Sequence, residues 1–328
     1  MENALNSVEA ADQPLVDAEL PGVHGNDTVP KEVGLPTGVD LPDGQVLGPA
    51  GALEVTRAAP TRLIVLAGEV DSGKTTILSA LYDRFQRGPF AGYLFAGSRT
   101  LIAFEQRCHM ARVTSLRSTP ATKRTELGTR DQLLHLRVRQ AAMTNAPQDL
   151  LFTDLSGEAF RDAKNSPEGC RSLPMLLRAD HFVLLVDGRQ LLDPGTRQVA
   201  LADARAILRS CLDAEMLSSR TLVDILFTKK DLLLGDGASQ QKAMKFIDEI
   251  AKPEFRRHFA DRVGRLRMFD VAARPEDNSL ELAYGLDSVL PSWVQDSRAN
   301  TETELSAASP TSGREFDRFL VNLPLGGD

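Results

Sequence analysis

The sequence predicts an α/β fold in which a mostly parallel sheet carries helices on both faces and has one antiparallel edge strand. Three observations carry this prediction. Short, continuously apolar runs recur at 63–67, 150–154, 182–187, 222–228 and 266–271, as expected of strands buried on both faces. The stretches between them have helical spacing, clearest at 198–217, where Val199, Ala202, Ala206, Leu208, Leu212 and Met216 recur near i+3 and i+4. One further run, 133–139, alternates Leu134, Leu136 and Val138 with His135, Arg137 and Arg139, which marks a half-exposed edge strand and makes His135 a solvated edge residue.

Taken along the chain, residues 1–58 hold six prolines and seven glycines without helical or alternating periodicity and read as a disordered acidic arm. Residues 1–60 carry ten acidic side chains against Lys31 and Arg57, a balance of −8, whereas the whole chain of 328 residues sits at −7. The remainder is thus near neutral and gives no direct sign of a nucleic-acid surface. Folded material is expected over 59–294. Within it the first strand leads through a glycine-bearing loop into a helix at 75–86, and an inserted helical element is expected around 98–115. From 295 onward Ser, Thr, Glu and Ala suggest a flexible tail, in which Phe316, Phe319, Leu320 and Val321 could form a short docking segment.

Three cysteines, Cys108, Cys170 and Cys211, are odd in number and lack metal or redox spacing, so reduced thiols are expected. Cys108-His109 has no second ligand pair spaced to join it and reads as packing or surface. No apolar run approaches the roughly 18 residues of a membrane span. A cytoplasmic protein is expected, with membrane contact only through partners.

The chemistry begins at Gly68-Glu69-Val70-Asp71-Ser72-Gly73-Lys74-Thr75, a complete G-x-x-x-x-G-K-T phosphate-binding loop. Glycines turn several backbone N–H groups toward one anion, Lys74 supplies a point charge for the β and γ phosphates, and the Thr75 hydroxyl suits Mg²⁺. Thr76 follows in the first helical turn. The run 150–154 ends in Asp154, followed by Leu155-Ser156-Gly157. Such a carboxylate can hold the Mg²⁺ shell through water, and Gly157 leaves its N–H for a γ phosphate. D-x-x-G alone arises about once per chain of this length by chance, so its position at a strand end carries the weight.

Where the run 222–227 ends stands Thr228-Lys229-Lys230-Asp231, which fits an [N/T]-K-x-D guanine motif. The Asp231 carboxylate would accept from guanine N1 and N2, and the Lys229 stem would pack over the base. Adenine lacks that donor pair and would leave the carboxylate unpaired. After the last strand, Ala272-Ala273-Arg274 offers backbone N–H groups to the guanine oxygen.

Taken in order, these elements resemble the G1, G3, G4 and G5 motifs of the translation-factor-related (TRAFAC) class of GTPases. Within it, 97–105, Leu134-His135-Leu136-Arg137 and Thr228-Lys229-Lys230-Asp231 resemble the bacterial double-GTPase family, over about 60–294. The resemblance implies a Ras-like P-loop fold, GTP or GDP with Mg²⁺ as ligands, and a second GTPase or effector as partner in a bacterial conflict or stress system. It also implies a monovalent-cation role for Asp71. Two departures follow: Glu158 stands where relatives carry a water-orienting Gln or His, so it is either that group or a plain switch residue. The switch I threonine is not unique, since Thr119, Thr122, Thr125 and Thr129 all precede the alternating strand; Thr125 is favoured as the Mg²⁺ ligand.

The reading that results is a GTP-hydrolysing switch in which Lys74 and Glu158 serve catalysis. Two alternatives stay open at this point: a GTP-dependent assembly module with negligible turnover, and an ATP-using P-loop enzyme.

Overall fold

The computed structural model describes residues 41–115, 132–142, 146–276 and 279–295. Among them lie seven strands: β1 (Thr61–Ala67), β2 (Tyr93–Gly97), β3 (Leu133–Gln140), β4 (Gln148–Thr153), β5 (His181–Asp187), β6 (Leu222–Thr228) and β7 (Arg265–Asp270). They form one sheet in the order β2-β3-β4-β1-β5-β6-β7. β1 pairs in parallel with β4 and β5, and β6 pairs in parallel with β5 and β7. β3 is antiparallel to both β2 and β4, so it alone runs against the rest. That is the topology of a Ras-like P-loop domain with one additional strand, β2, at its rim.

The helices α1 (Pro49–Ala58), α2 (Lys74–Gln86), α3 (Leu101–Ser115), α4 (Gly157–Asn165), α5 (Pro167–Arg171), α6 (Gly188–Leu192), α7 (Arg197–Asp213), α8 (Lys230–Leu233), α9 (Ala238–Phe246), α10 (Lys252–Phe259) and α11 (Leu286–Val294) fill the connections. Strand alternation divides β1 between two cores. Leu63, Val65 and Ala67 face a layer built with Phe160 of α4, Leu201 and Leu208 of α7 and Phe255 of α10. Ile64 and Leu66 face the other layer, with Ile77 and Leu81 of α2, Phe104 of α3 and Trp293 of α11. Each fully buried Leu, Ile or Phe contributes about 1.5–3 kcal/mol of hydrophobic stabilisation, and truncating one to Ala costs about 2–5 kcal/mol. The two-sided burial explains why these strands read as unbroken apolar runs.

Three expectations need revision. First, the arm does not extend to residue 58. α1 begins with Pro49 at its first turn, where a missing N–H costs nothing, and buries Val55, while Leu47 exchanges two backbone hydrogen bonds of 2.9 Å with Leu133. The helix's apolar residues are mostly alanines, and Leu53 is exposed, so Val55 is its one buried side chain and no periodic signal results. Second, the alternating strand is one place in from the rim, because β2 covers it.

Third, His135 is not solvated: it is 3% exposed, with Nε2 2.9 Å from Asp149 Oδ1 and Nδ1 accepting from the Arg99 N–H at 2.9 Å. Arg137 adds a two-pronged contact to Asp149, Nε at 2.6 Å and a terminal nitrogen at 2.7 Å. On the polar face of the alternating strand His135 and Arg137 are thus paired with Asp149, while Arg139 stays exposed. The inserted element around 98–115 is present as α3. Thr125, with Thr119, Thr122 and Thr129, lies outside the described residues, as do residues 1–40 of the arm and the tail from 296.

Candidate functional site

The site occupies the edge of the sheet where the parallel strands end. β1 leads into the phosphate loop, and the backbone there takes conformations that glycine favours, with φ of +151° at Gly68 and +100° at Gly73. A side chain at Gly68 would press against Ser72 Oγ at 2.7 Å and the Leu185 carbonyl at 2.9 Å. Asp71 takes φ +61°, unusual for a residue with a side chain. α2 begins immediately after the loop with no side-chain cap, so its first N–H groups remain aimed at the loop's concavity.

Lys74 turns back over the loop and donates to the Gly68 and Glu69 carbonyls, each at 2.9 Å. Burial pushes its ammonium down to about 8, opposed by the negative charges of Asp154, Glu69, Glu158 and Asp71. Its donors thus go to backbone carbonyls rather than to a carboxylate.

Asp154 lies just past β4 and is 2% exposed. Thr75 Oγ1 donates to its Oδ1 at 3.0 Å, and Arg107 Nε donates to its Oδ2 at 2.8 Å. Gly157 packs flat on the loop: a Cβ there would sit 2.4 Å from the Val70 nitrogen, so no other residue fits. Glu158 is half-buried in the first turn of α4. Further along α4, Lys164 bridges Glu69 at 2.6 Å and Asp203 of α7 at 2.9 Å, tying this helix to the phosphate loop.

The third part comes from the end of β6. Thr228 Oγ1 donates to the Ser72 carbonyl at 2.9 Å, which fixes the T-K-K-D turn to the phosphate loop across the sheet. Lys229 sits at φ +54°, with Nζ 2.8 Å from Asp187 at the end of β5. Asp231 is half-buried, and its Oδ2 accepts from the Glu276 N–H at 3.1 Å, joining it to the loop that follows Ala272 and Ala273. Both alanines are buried. The Ala272 N–H donates to the Tyr284 carbonyl at 3.1 Å.

All of the expected site residues that are described thus converge on one edge: Gly68, Asp71, Ser72, Gly73, Lys74, Thr75 and Thr76 from the loop, Asp154, Gly157 and Glu158 after β4, and Thr228, Lys229, Asp231, Ala272 and Ala273 beyond β6 and β7. Cys108 is packing, with its Sγ directed at the Ser79 carbonyl at 3.4 Å. Arg107, Lys164 and Asp187 were not anticipated. Asp187 had a signal, since its strand ends in a carboxylate just as 150–154 does; Arg107 and Lys164 had none, being brought in by helix packing. A cleft of about 540 Å³ lined by Arg84, Arg87 and Arg274 contains no phosphate-loop residue.

The family model described as Double-GTPase 2 matches residues 62–294. The chain belongs to the Double-GTPase 2 family. As a member it is a GTP-binding P-loop protein. No curated protein matches the chain. Among solved structures, this Double-GTPase 2 chain is similar to a bacterial selenocysteine-specific elongation factor, EF-Sec, at TM-score 0.31 and 16% identity over 66% of this chain and 26% of that one. It is also similar to the GTPase-like domain of S. cerevisiae Ski7, bound to GDP and inorganic phosphate, at TM-score 0.41 and 13% identity over 78% of this chain and 54% of that one. The chain spans about a quarter of the first and about half of the second. Likenesses this remote say nothing about chemistry. Among the described residues no helix is long and apolar enough to cross a membrane.

Proposed function

We propose that the chain is a GTP-hydrolysing switch that controls its association with a second GTPase or effector. The observation that carries this reading is the Thr228–Ser72 bond, which joins a guanine-type turn to a phosphate loop so that base and triphosphate are read by one rigid edge. Lys74 holds the β and γ phosphates, and the N–H groups from Gly68 to Thr76 enclose them. Asp231 accepts from guanine N1 and N2, and the Lys229 stem covers the base. Of the two alanines, Ala273 supplies the N–H for the guanine oxygen, since that of Ala272 is spent on Tyr284.

A hydroxyl and a carboxylate 3.0 Å apart form the sparse, hard-oxygen donor set that Mg²⁺ accepts, because Mg²⁺ keeps most of its waters. Thr75 would hold it directly, Asp154 through water and Thr125 from switch I; bound there, it neutralises phosphate charge. Asp71 would add a carboxylate for a monovalent cation. Glu158 orients the attacking water, and its segment, 155–165, relaxes after hydrolysis and changes the surface a partner meets. Cytoplasmic location and a role in a bacterial conflict or stress system complete the proposal.

Single-turnover hydrolysis of labelled GTP by the full chain with Mg²⁺, with and without a candidate partner GTPase, tests it. Phosphate release that Glu158→Ala slows is the expected result. Stable GTP binding without release under either condition would instead leave a nucleotide-dependent assembly module.

A further inference from the structure

The Asp154 carboxylate is held by a residue for which the reading above has no role. α3 is inserted between the phosphate-loop helix and the switch region that precedes β3, and it is firmly seated. Phe104 stacks on Tyr82 of α2 with ring centroids 4.9 Å apart, Tyr82 donates its hydroxyl to Glu105 at 2.8 Å, and Cys108 is fully buried. This packing directs Arg107 into the site, where Nε reaches Asp154 Oδ2 at 2.8 Å and a terminal nitrogen reaches the Ala103 carbonyl at 3.0 Å. Its side chain is 17% exposed against 3% for Asp154. A guanidinium is always charged and carries five donors in a planar fork, more than these two contacts use.

From this geometry we infer that Arg107 is the chain's own arginine for the γ phosphate of bound GTP, resting on Asp154 between turnovers. The inference rests on the GTPase reading. Asp154, which holds Arg107, also accepts from Thr75 of the phosphate-loop helix, and a guanidinium pairs with phosphate oxygens bidentately as it does with a carboxylate. In the reaction a water oxygen bonds to the γ phosphorus, while the bond from that phosphorus to the β–γ bridging oxygen breaks with its electron pair kept by GDP. Both protons of the water leave on inorganic phosphate as dihydrogen phosphate, and nothing is oxidised or reduced. Arg107 would offset the charge that builds on the γ oxygens, so no arginine from a partner is required for that role.

The test is the ratio of affinities for GDP with and without aluminium tetrafluoride, a transferring-phosphoryl mimic, measured with fluorescent GDP on the full chain. Wild type is expected to bind the fluoride complex more tightly, and Arg107→Ala to lose about a hundredfold or more of that gain, in line with the worth of such arginines. Arg107→Lys keeps a charge on Asp154 and so guards against a folding failure; it is expected to keep thermal stability yet lose most of the fluoride gain. A fluoride gain retained in either folded variant, with only melting temperature lowered, would overturn the inference and make Arg107 a clamp for α3. Wild type that binds GDP without any fluoride gain would overturn it as well. Failure of wild type to bind GDP at all would bring down the GTPase reading first, and the two failures are thereby distinguished.

Discussion

One strand, β4, carries a buried carboxylate at each end, and the two behave differently. Asp149 at its start is enclosed by fixed partners, His135 at 2.9 Å and the Arg137 fork at 2.6 and 2.7 Å, all from neighbouring β3. Asp154 just past its end is held by a hydroxyl from the phosphate-loop helix and an arginine from an inserted helix. At the first end charge is matched within the sheet and serves folding. At the second, the partners come from separate elements that meet only where parallel strands end, which is where such folds bind ligands. The same residue type on one strand is structural or functional according to which elements supply its partners.

The sharpest way to break that comparison is to neutralise each carboxylate. Asp149→Asn weakens at once the contacts of a fully buried carboxylate to the Arg137 fork and to buried His135 and is expected to cost about 2–4 kcal/mol in urea unfolding, with GDP affinity unchanged in the protein that remains folded. Asp154→Asn should cost less, about 1.5 kcal/mol, since it weakens a single contact to a charged group and keeps an amide oxygen for the Thr75 hydroxyl, yet it should impair Mg²⁺-dependent GTP binding. Equal stability losses in the two variants would erase the distinction.

Removing Lys74 tests the site from the opposite charge. Lys74→Ala should weaken GDP by about a hundredfold, the worth of a strong charge-assisted contact, measured by fluorescence. Its melting temperature should not fall, because burial already pushes this ammonium down to about 8 and its removal ends that penalty. A clear drop in stability would mean that Lys74 is a structural cation.

Acid sensitivity sharpens the structural end. Burial alone would raise the Asp149 carboxyl, but hydrogen bonds from Arg137 and His135 and the charge of Arg137 hold it down to about 2 from an ordinary 3.8. A carboxyl depressed on folding stabilises the protein above its unfolded value, and that stability is lost as pH falls through the folded one. Arg137→Met should therefore move the acid unfolding midpoint upward in circular dichroism, and an unmoved midpoint would show that the pair contributes nothing. The smallest effect concerns the link between base and phosphate ends. Thr228→Ala removes the bond to Ser72 and should cost about 1 kcal/mol, seen as a modest loss of GDP affinity.

Much of this was legible in the sequence, for reasons the two cores make plain. Strands buried on both faces leave unbroken apolar runs, and the motif residues follow strand ends at fixed offsets. What was not legible depends on neighbours. His135 reads as solvated because its covering strand, β2, is a five-residue segment with mixed burial and its partner Asp149 sits on another strand. α1 buries only Val55, too little to imprint a period. Arg107 belongs to no local motif; its meaning comes from α3 packing on α2, which places it on a carboxylate 47 residues away.

The measurement that bears most directly on the central claim is calorimetric titration of the full chain with GDP, XDP and ADP, in wild type and Asp231→Asn. Preference for GDP in wild type, passing to XDP in the variant, is the predicted result, because an amide at 231 presents a donor to the xanthine oxygen where the carboxylate accepted from guanine. ADP bound as well as GDP, or a base preference that Asp231→Asn leaves untouched, would contradict the assignment of this edge as a guanine-nucleotide site.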